Sequence, residues 1–273
     1  MESLDLDKIH LVALEACEKG REILLDYFGR LSQVSEKENS GLVSEADVTS
    51  EEIISQHLKA NFPDFSVLGE ESSFAQGVDL TKSLPDGAQW ILDPLDGTTN
   101  YIHGFYAYCI SLALEYKGEI VYGIVDVPAL QTTYYAKKGQ GAFKNNQPIK
   151  VSPRNTLEEA LIVTGFSSKK EIRIRQIKEI SPFLQRVRGL RRTGSAAYDL
   201  CLVSEGVFDA YWEEDLNSWD VAAGALLVQE AGGHVSNFTG ENFDPHRKEI
   251  VAATTGIYQE VVNLLTEFRP VKN

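Results

Sequence analysis

Apolar residues near the start of the chain recur at helical spacing: Leu6, Ile9, Ala13, Ala16, Ile23, Leu24 and Tyr27 predict an amphipathic helix over 5–28. A second helical pattern covers 46–61 and stops near Pro63. Phe65 to Leu68 and Trp90-Ile91-Leu92 are short apolar runs suited to buried strands, and Pro94, lacking an N–H, should end pairing in the second. Tyr108 to Tyr116 and Glu119 to Val127 are β-rich and joined at Lys117-Gly118; Thr132 to Tyr135, Gly141 to Lys144 and Ile149 to Val151 continue as short strands. That order predicts an antiparallel meander. Beyond about residue 155 strands and helices alternate: Ala160 to Thr164 extended, a helix near 170–187, Ala196 to Ser204 helical, Phe208 to Trp212 extended. An apolar helix opened by Ser218-Trp219-Asp220 then ends at Gly232-Gly233, and Ile250 to Ala253 and a helix over 257–268 close the chain. There is no repeat, low-complexity tract or linker, so the expectation is one α+β domain over 5–266. Its N-terminal lobe would be 1–154 and its C-terminal lobe 155–273, with two sheets stacked and helices between and outside them.

The string Asp93-Pro94-Leu95-Asp96-Gly97-Thr98-Thr99-Asn100 concentrates the chemistry. With Pro94 fixing the backbone, the carboxylates of Asp93 and Asp96 and the Leu95 carbonyl can turn toward one point, as a hard cation with oxygen ligands requires. Gly97 permits a tight turn, and Thr98 and Thr99 can open a helix whose free N–H groups favour a phosphate. Glu70, in Gly69-Glu70-Glu71-Ser72, lies where a short strand gives way to a loop, and Asp220 stands in the first turn of its helix. Carboxylates gathered at one point repel each other unless cations neutralise them, so this set implies bound metal.

Composition narrows the partners. Of 273 residues, 43% are hydrophobic, enough for a sizeable core and far from a disordered composition. The excess of 40 acidic over 26 basic residues gives a net charge of −14, which disfavours nucleic acid and anionic membrane. Cys17, Cys109 and Cys201 are far apart among apolar neighbours and read as reduced core residues of a cytoplasmic protein. No signal peptide and no membrane-spanning run is expected. His103 reads as a packed histidine, and Gly232-Gly233 as a helix stop.

The ordered set Gly-Glu-Glu-Ser at 69–72, Asp-Pro-Leu-Asp-Gly-Thr-Thr-Asn at 93–100 and Trp-Asp at 219–220 resembles the inositol monophosphatase family of magnesium-dependent, lithium-sensitive sugar phosphatases. Arg191-Arg192-Thr193-Gly194-Ser195-Ala196-Ala197, followed by Asp209-Ala210-Tyr211-Trp212-Glu213, resembles its substrate-side segment. The resemblance implies a five-layered α-β-α-β-α sandwich, a homodimer, and two or three Mg²⁺ ions per active site. It places Glu70, Asp93 and the Leu95 carbonyl on one ion and Asp93, Asp96 and Asp220 on another, with Thr98 orienting the attacking water and Asp47 accepting the hydroxyl proton of Thr98. From the residues alone, Asp47 suits the first turn of its helix better than a catalytic role, and only the resemblance raises it. Glu70, Leu95, Asp96, Gly97, Thr98 and Asp220 would line the phosphate end of the substrate, and Gly194, Ser195, Ala196 and Glu213 its alcohol end. Two segments depart from the family pattern: Asn39-Ser40-Gly41, where an acidic residue is common, and Asn217-Ser218, where a histidine or basic residue is common. The implied reaction is hydrolysis of myo-inositol 1-phosphate. Fructose 1,6-bisphosphate, histidinol phosphate and nucleotide 3′-phosphates are alternatives, as is a regulatory binding role with catalysis secondary.

Overall fold

The computed structural model describes residues 4–37, 41–76 and 87–268. Asn39 and Ser40 of the divergent loop lie outside the described residues. Helices α1 (Leu6–Tyr27) and α2 (Glu45–Asn61) flank a hairpin of β1 (Val34–Lys37) and β2 (Gly41–Ser44). Then come β3 (Ser66–Gly69), α3 (Glu70–Gln76), β4 (Ala88–Asp96), α4 (Thr98–Ile102), β5 (Cys109–Tyr116), β6 (Glu119–Val127), β7 (Thr132–Lys137), β8 (Ala142–Lys144) and β9 (Gln147–Pro148). The second half holds β10 (Leu161–Thr164), α5 (Lys170–Leu184), β11 (Gly189–Arg191), α6 (Ala196–Ser204), β12 (Ala210–Glu214), α7 (Ser218–Glu230), β13 (His234–Ser236), β14 (Glu249–Ala253) and α8 (Tyr258–Phe268).

Seven strands form one sheet in the order β3-β4-β5-β6-β7-β8-β9, antiparallel throughout except for the parallel β3–β4 pair. Five strands form the second, in the order β11-β10-β12-β14-β13. The apolar stripes of α1 and α2 (Ile9, Ala13, Leu24, Ile54, Leu58) cover one face of the larger sheet. Its other face packs on α6 and α7 through Ala197, Cys201, Trp219 and Ala223. The same two helices turn Leu200, Val221 and Ala225 to the smaller sheet, whose far face is covered by Phe183 of α5 and Val261 and Leu265 of α8. These are the five layers, α-β-α-β-α, that the resemblance implies.

Several local expectations change. Pro94 does not end its strand: β4 runs to Asp96, because Asp93 pairs with Ser111 and Asp96 with Cys109, leaving one extra residue on β4. That bulge absorbs the missing N–H of Pro94. Ile149 to Val151 is not a strand; Val151 N–H leaves the sheet and donates to Ala231 O (3.1 Å) at the end of α7. Glu70 opens α3 rather than a loop. The 170–187 helix ends at Leu184, two residues beyond Pro182, which lies inside it. The β1–β2 hairpin, β11 and β13 are additions, each too short to announce itself by periodicity. Among the described residues no helix is long and apolar enough to cross a membrane. All three cysteines are buried and free.

The middle layer sits close to the larger sheet because β6 offers Gly123: a Cβ there would lie 2.9 Å from Ala223 Cα and carbonyl oxygen of α7. Gly123→Val should therefore push α7 away, costing about 1–3 kcal/mol by overpacking. Thermal melting should show a fall of about 2–4 °C per kcal/mol in a chain of this size. An unchanged melting temperature would contradict this packing.

Candidate active site

Residues i and i+3 of a regular strand face opposite sides. The bulge at Pro94 corrects this: Asp93 and Asp96 pair with Ser111 and Cys109, two residues apart on β5, so both carboxylates face one side. Asp93 is 2% and Asp96 9% exposed. The N–H of Leu95 donates to Asp93 Oδ1 at 2.9 Å. Asp96 Oδ2 is held by the N–H of Ala197 (2.7 Å) at the start of α6, by the Ser195 hydroxyl (2.8 Å) and, more weakly, by Cys109 Sγ (3.7 Å). The Leu95 side chain is buried under α2, and its carbonyl accepts from Thr98 Oγ1 at 3.1 Å.

Two further helix starts aim at the same centre. Glu70 is the first residue of α3, whose N–H groups at Glu71 and Ser72 donate to the buried Glu51 carboxylate at 2.7 and 2.8 Å. Glu51 therefore fixes the direction of α3. Gly69 makes room for it, since a Cβ there would lie 2.5 Å from the Glu51 carboxyl carbon. Asp220, third residue of α7, accepts from the N–H of Asn217 at 2.6 Å. Burial pushes the Asp93 carboxyl well above the usual range, reinforced by Glu70, Asp96 and Asp220. Asp220 shifts the same way through burial, Glu70 and Asp96. Asp96 rises to about 6, burial outweighing the bonds from Ser195, Ala197 and Ala196 that favour its charged form. The sequence-predicted Glu70 is thus close enough to raise the proton affinity of Asp93, Asp96 and Asp220.

No lysine or arginine among the described residues forms an ion pair with Asp93, Asp96 or Asp220. Nor do three His, Cys, Asp or Glu side chains among them close into a ready-made metal cage. Magnesium does not ask for one, because it keeps several waters and uses one or two carboxylates with substrate phosphate. The donor set of carboxylates and a carbonyl fits a hard cation.

Beside the carboxylates, Thr98 opens α4 and its hydroxyl lies 3.0 Å from Asp47 Oδ1. Asp47 is 1% exposed, and its other oxygen accepts from the N–H (2.8 Å) and hydroxyl (2.5 Å) of Ser44 in a capping box at the start of α2. Asp47 thus serves its helix and reaches Thr98 at once. Burial raises its proton affinity against the pull of Ser44 and Thr98. Gly97 has φ +94°, and a Cβ there would meet Ala107 O at 2.9 Å, so the turn requires glycine.

On the opposite wall, Glu213 of β12 accepts from Tyr211 OH at 2.7 Å. Burial lifts its carboxyl to about 7, with Tyr211 and Arg192 pulling the other way. Glu213 and Asp220 are half-buried, so water softens both shifts. Of the substrate-side trio, Gly194 (φ +95°) turns the chain into α6, while the Ser195 hydroxyl and the Ala196 N–H are engaged with Asp96. Asn100 ties this loop to the centre, its amide donating to Ala107 O (2.6 Å) and Thr193 O (2.9 Å). His103 is exposed at the end of α4, not packed, because Gly104 turns the chain outward there. Sequence reasoning passed over Glu51, Ser44 and Gly165. A Cβ at Gly165 would lie 1.8 Å from Glu213 Oε2, so that glycine reserves the space of the acid. Only Ser44, three residues before Asp47, carried a local signal, the capping-box spacing.

The model of the inositol monophosphatase family matches residues 5–269. The chain is 38% identical over 270 residues to the Nus factor SuhB of Pseudomonas aeruginosa, covering 95% of each chain. It is 41% identical over 233 residues to an inositol-1-monophosphatase of Rhizobium meliloti, covering 84% of this chain and 85% of the relative. Among solved structures, the extragenic suppressor protein suhB of Bartonella henselae superimposes with a TM-score of 0.87 at 34% identity, covering 95% of this chain and 98% of that one. The Thermotoga maritima IMPase does so with a TM-score of 0.85 at 34% identity, covering 96% and 98%.

The raised Asp96 carboxyl carries a sign. Between the ordinary value of 3.8 and about 6 the folded, metal-free protein binds more protons than the unfolded chain, so stability falls as pH rises through that window. Asp96→Asn removes this dependence. In chelator, urea titrations of wild type and variant should show the stability difference shifting in favour of the variant between pH 4 and pH 7, on the order of 2 kcal/mol. Parallel pH profiles would show that Asp96 does not feel its neighbours.

Proposed function

This chain belongs to the inositol monophosphatase family, and from that premise we propose that it is a magnesium-dependent phosphomonoesterase hydrolysing myo-inositol 1-phosphate to inositol and phosphate. The observation that carries this reading is the Thr98–Asp47 hydrogen bond of 3.0 Å, set beside carboxylates that raise one another's proton affinity. Glu70, Asp93 and the Leu95 carbonyl would hold one ion, and Asp93, Asp96 and Asp220 a second. Bound there, magnesium would supply positive charge to the phosphate oxygens and acidify the attacking water. Thr98 has one hydroxyl proton and two acceptors in reach, Asp47 and the Leu95 carbonyl. With the Leu95 carbonyl engaged as a ligand, the proton goes to Asp47, and the lone pairs of Thr98 Oγ1 are left to accept from water and orient it. Asp47, buried and fixed by Ser44, holds that orientation. The turn at Gly97 and the start of α4 would receive the phosphate, Gly194, Ser195 and Ala196 would border the ring, and Glu213 would accept its hydroxyls.

Because α7, from the second half of the sequence, packs on the sheet of the first half, we read 5–266 as one domain; the reading of the protein as a cytoplasmic homodimer rests on the family resemblance and the three reduced cysteines. A second reading is a regulatory binding role, favoured by the name of the Pseudomonas aeruginosa relative, Nus factor SuhB. Absent or residual turnover across a panel of phosphate esters would favour the second.

Hydrolysis should require Mg²⁺, cease in excess EDTA and be inhibited by lithium. Asp93→Asn should lower kcat by at least about 10³ with the fold retained, and Thr98→Ala should lower kcat more than it changes KM. Metal-verified activity in EDTA, or near-normal kcat in Asp93→Asn, would sink the assignment.

Across a panel of phosphate esters, a monophosphorylated polyol should be preferred over a bisphosphate, since Asn217 offers no charge to a second phosphate. Glu213→Ala should raise KM for inositol monophosphate while sparing an ester without ring hydroxyls, and Asn217→Lys should shift preference toward bisphosphates. A wild type faster on a bisphosphate, by kcat/KM, than on every monophosphate polyol tested would overturn the substrate reading.

A further inference from the structure

At the β11 edge of the smaller sheet lies an open cavity of about 610 Å³, lined by Arg154, Arg188 and Arg191 with Glu159 as its one acidic residue. It stands at the end of the sheet where Leu161 begins β10. The active-site wall, with Gly165 and Glu213, stands at the other end. We propose that this cavity binds a small polyanion, a molecule carrying two or three linked phosphate groups.

The cavity is built rather than accidental. Arg154 is held by Asp209, which is fully buried and accepts from Arg154 Nη1 at 3.1 Å and from the N–H of Leu161 at 2.7 Å. The same nitrogen also donates to Ser152 Oγ at 3.1 Å, and Arg154 so anchored lines the cavity. Gly189 supplies clearance: Arg191 folds back so that Nη1 lies 3.3 Å from where a Cβ of Gly189 would be, and donates to Leu190 O at 3.1 Å. Among the described residues, neither Arg188 nor Arg191 forms an ion pair with a carboxylate. Such positive charge is set into a protein of net charge −14. Guanidinium forks match phosphate oxygens in bidentate geometry. Three guanidinium forks around one cavity of about 610 Å³ suit a short polyanion, while the net charge of −14 disfavours a long one.

The probe is inorganic tripolyphosphate, titrated calorimetrically into the whole protein in excess EDTA. Without cations the active-site carboxylates repel anions, so binding under these conditions reports the arginine cavity. Saturable 1:1 binding is expected, weakened about tenfold by Arg188→Gln or Arg191→Gln, each removing a charge-assisted pair. Gly189→Val should weaken it by filling the cavity with all charges kept, and Glu159→Gln should tighten it. Asp93→Asn should leave it unchanged. The proposal is overturned by the absence of saturable binding, by wild-type affinity in the Arg188→Gln/Arg191→Gln double variant, or by loss of binding in Asp93→Asn. Tighter binding of single-stranded RNA than of tripolyphosphate would also overturn it, in favour of a nucleic-acid partner.

Discussion

The mutual repulsion of buried carboxylates is the constraint around which this fold is arranged. Two like charges roughly 5 Å apart at an effective dielectric near 20 repel by about 3 kcal/mol, and here Asp93 and Asp96 also lose water. Each is held by a backbone N–H: Leu95 for Asp93, Ala197 for Asp96, and likewise Asn217 for the partly exposed Asp220. Two of these donors belong to helix starts, and α3 brings a third helix start to the same point. The positive ends of helices offset part of the repulsion and leave the remainder to a cation.

That arrangement explains why the layers are stacked as they are. Asp93 and Asp96 come from the larger sheet and Asp220 from the middle layer, so the centre exists only when β5, β4 and α7 are pressed together. Ser111 of β5 donates to Trp219 O at 2.9 Å, one residue before Asp220. Asn100 spans from the β4–α4 turn to the loop before α6. The close approach at Gly123 and Ala223 serves the same end. A substitution far from the carboxylates can therefore act on them by spacing alone.

The sequence made the long elements legible because their periodicity extends over many residues: α1, α2 and the β5–β6 hairpin with its positive-φ pair Lys117-Gly118 lie where patterning puts them. The carboxylate string was legible because Asp-Pro and Asp-Gly are local chemistry. What could not be read was set by contacts between distant residues. Pro94 looks like a strand terminator until the Ser111 and Cys109 register shows it inside a bulge. Glu51 looks like any solvated helix residue until Gly69 and the start of α3 enclose it. The hydroxyl of Ser195 carries no local signal of its partner, and it donates to Asp96, ninety-nine residues away in the chain. Such assignments depend on which strand and helix meet, which no window of sequence contains.

The two acidic parts of the site are held differently. Asp93, Asp96 and Asp220 each accept a backbone N–H and lie close enough to Glu70 for its charge to raise their proton affinity. Glu213, by contrast, has one hydrogen-bonded partner among the described residues, Tyr211, with a carboxyl near 7 that Arg192 draws downward. Gly165 leaves the acid room but no further polar anchor. A carboxyl so poised accepts a hydroxyl proton when charged and can donate when neutral. In the function proposed, the Glu213 side is therefore the softer half of the site, and the half most open to change by substitutions at Glu213, Asn217 and Arg192 that keep the backbone donors of Asp93, Asp96 and Asp220.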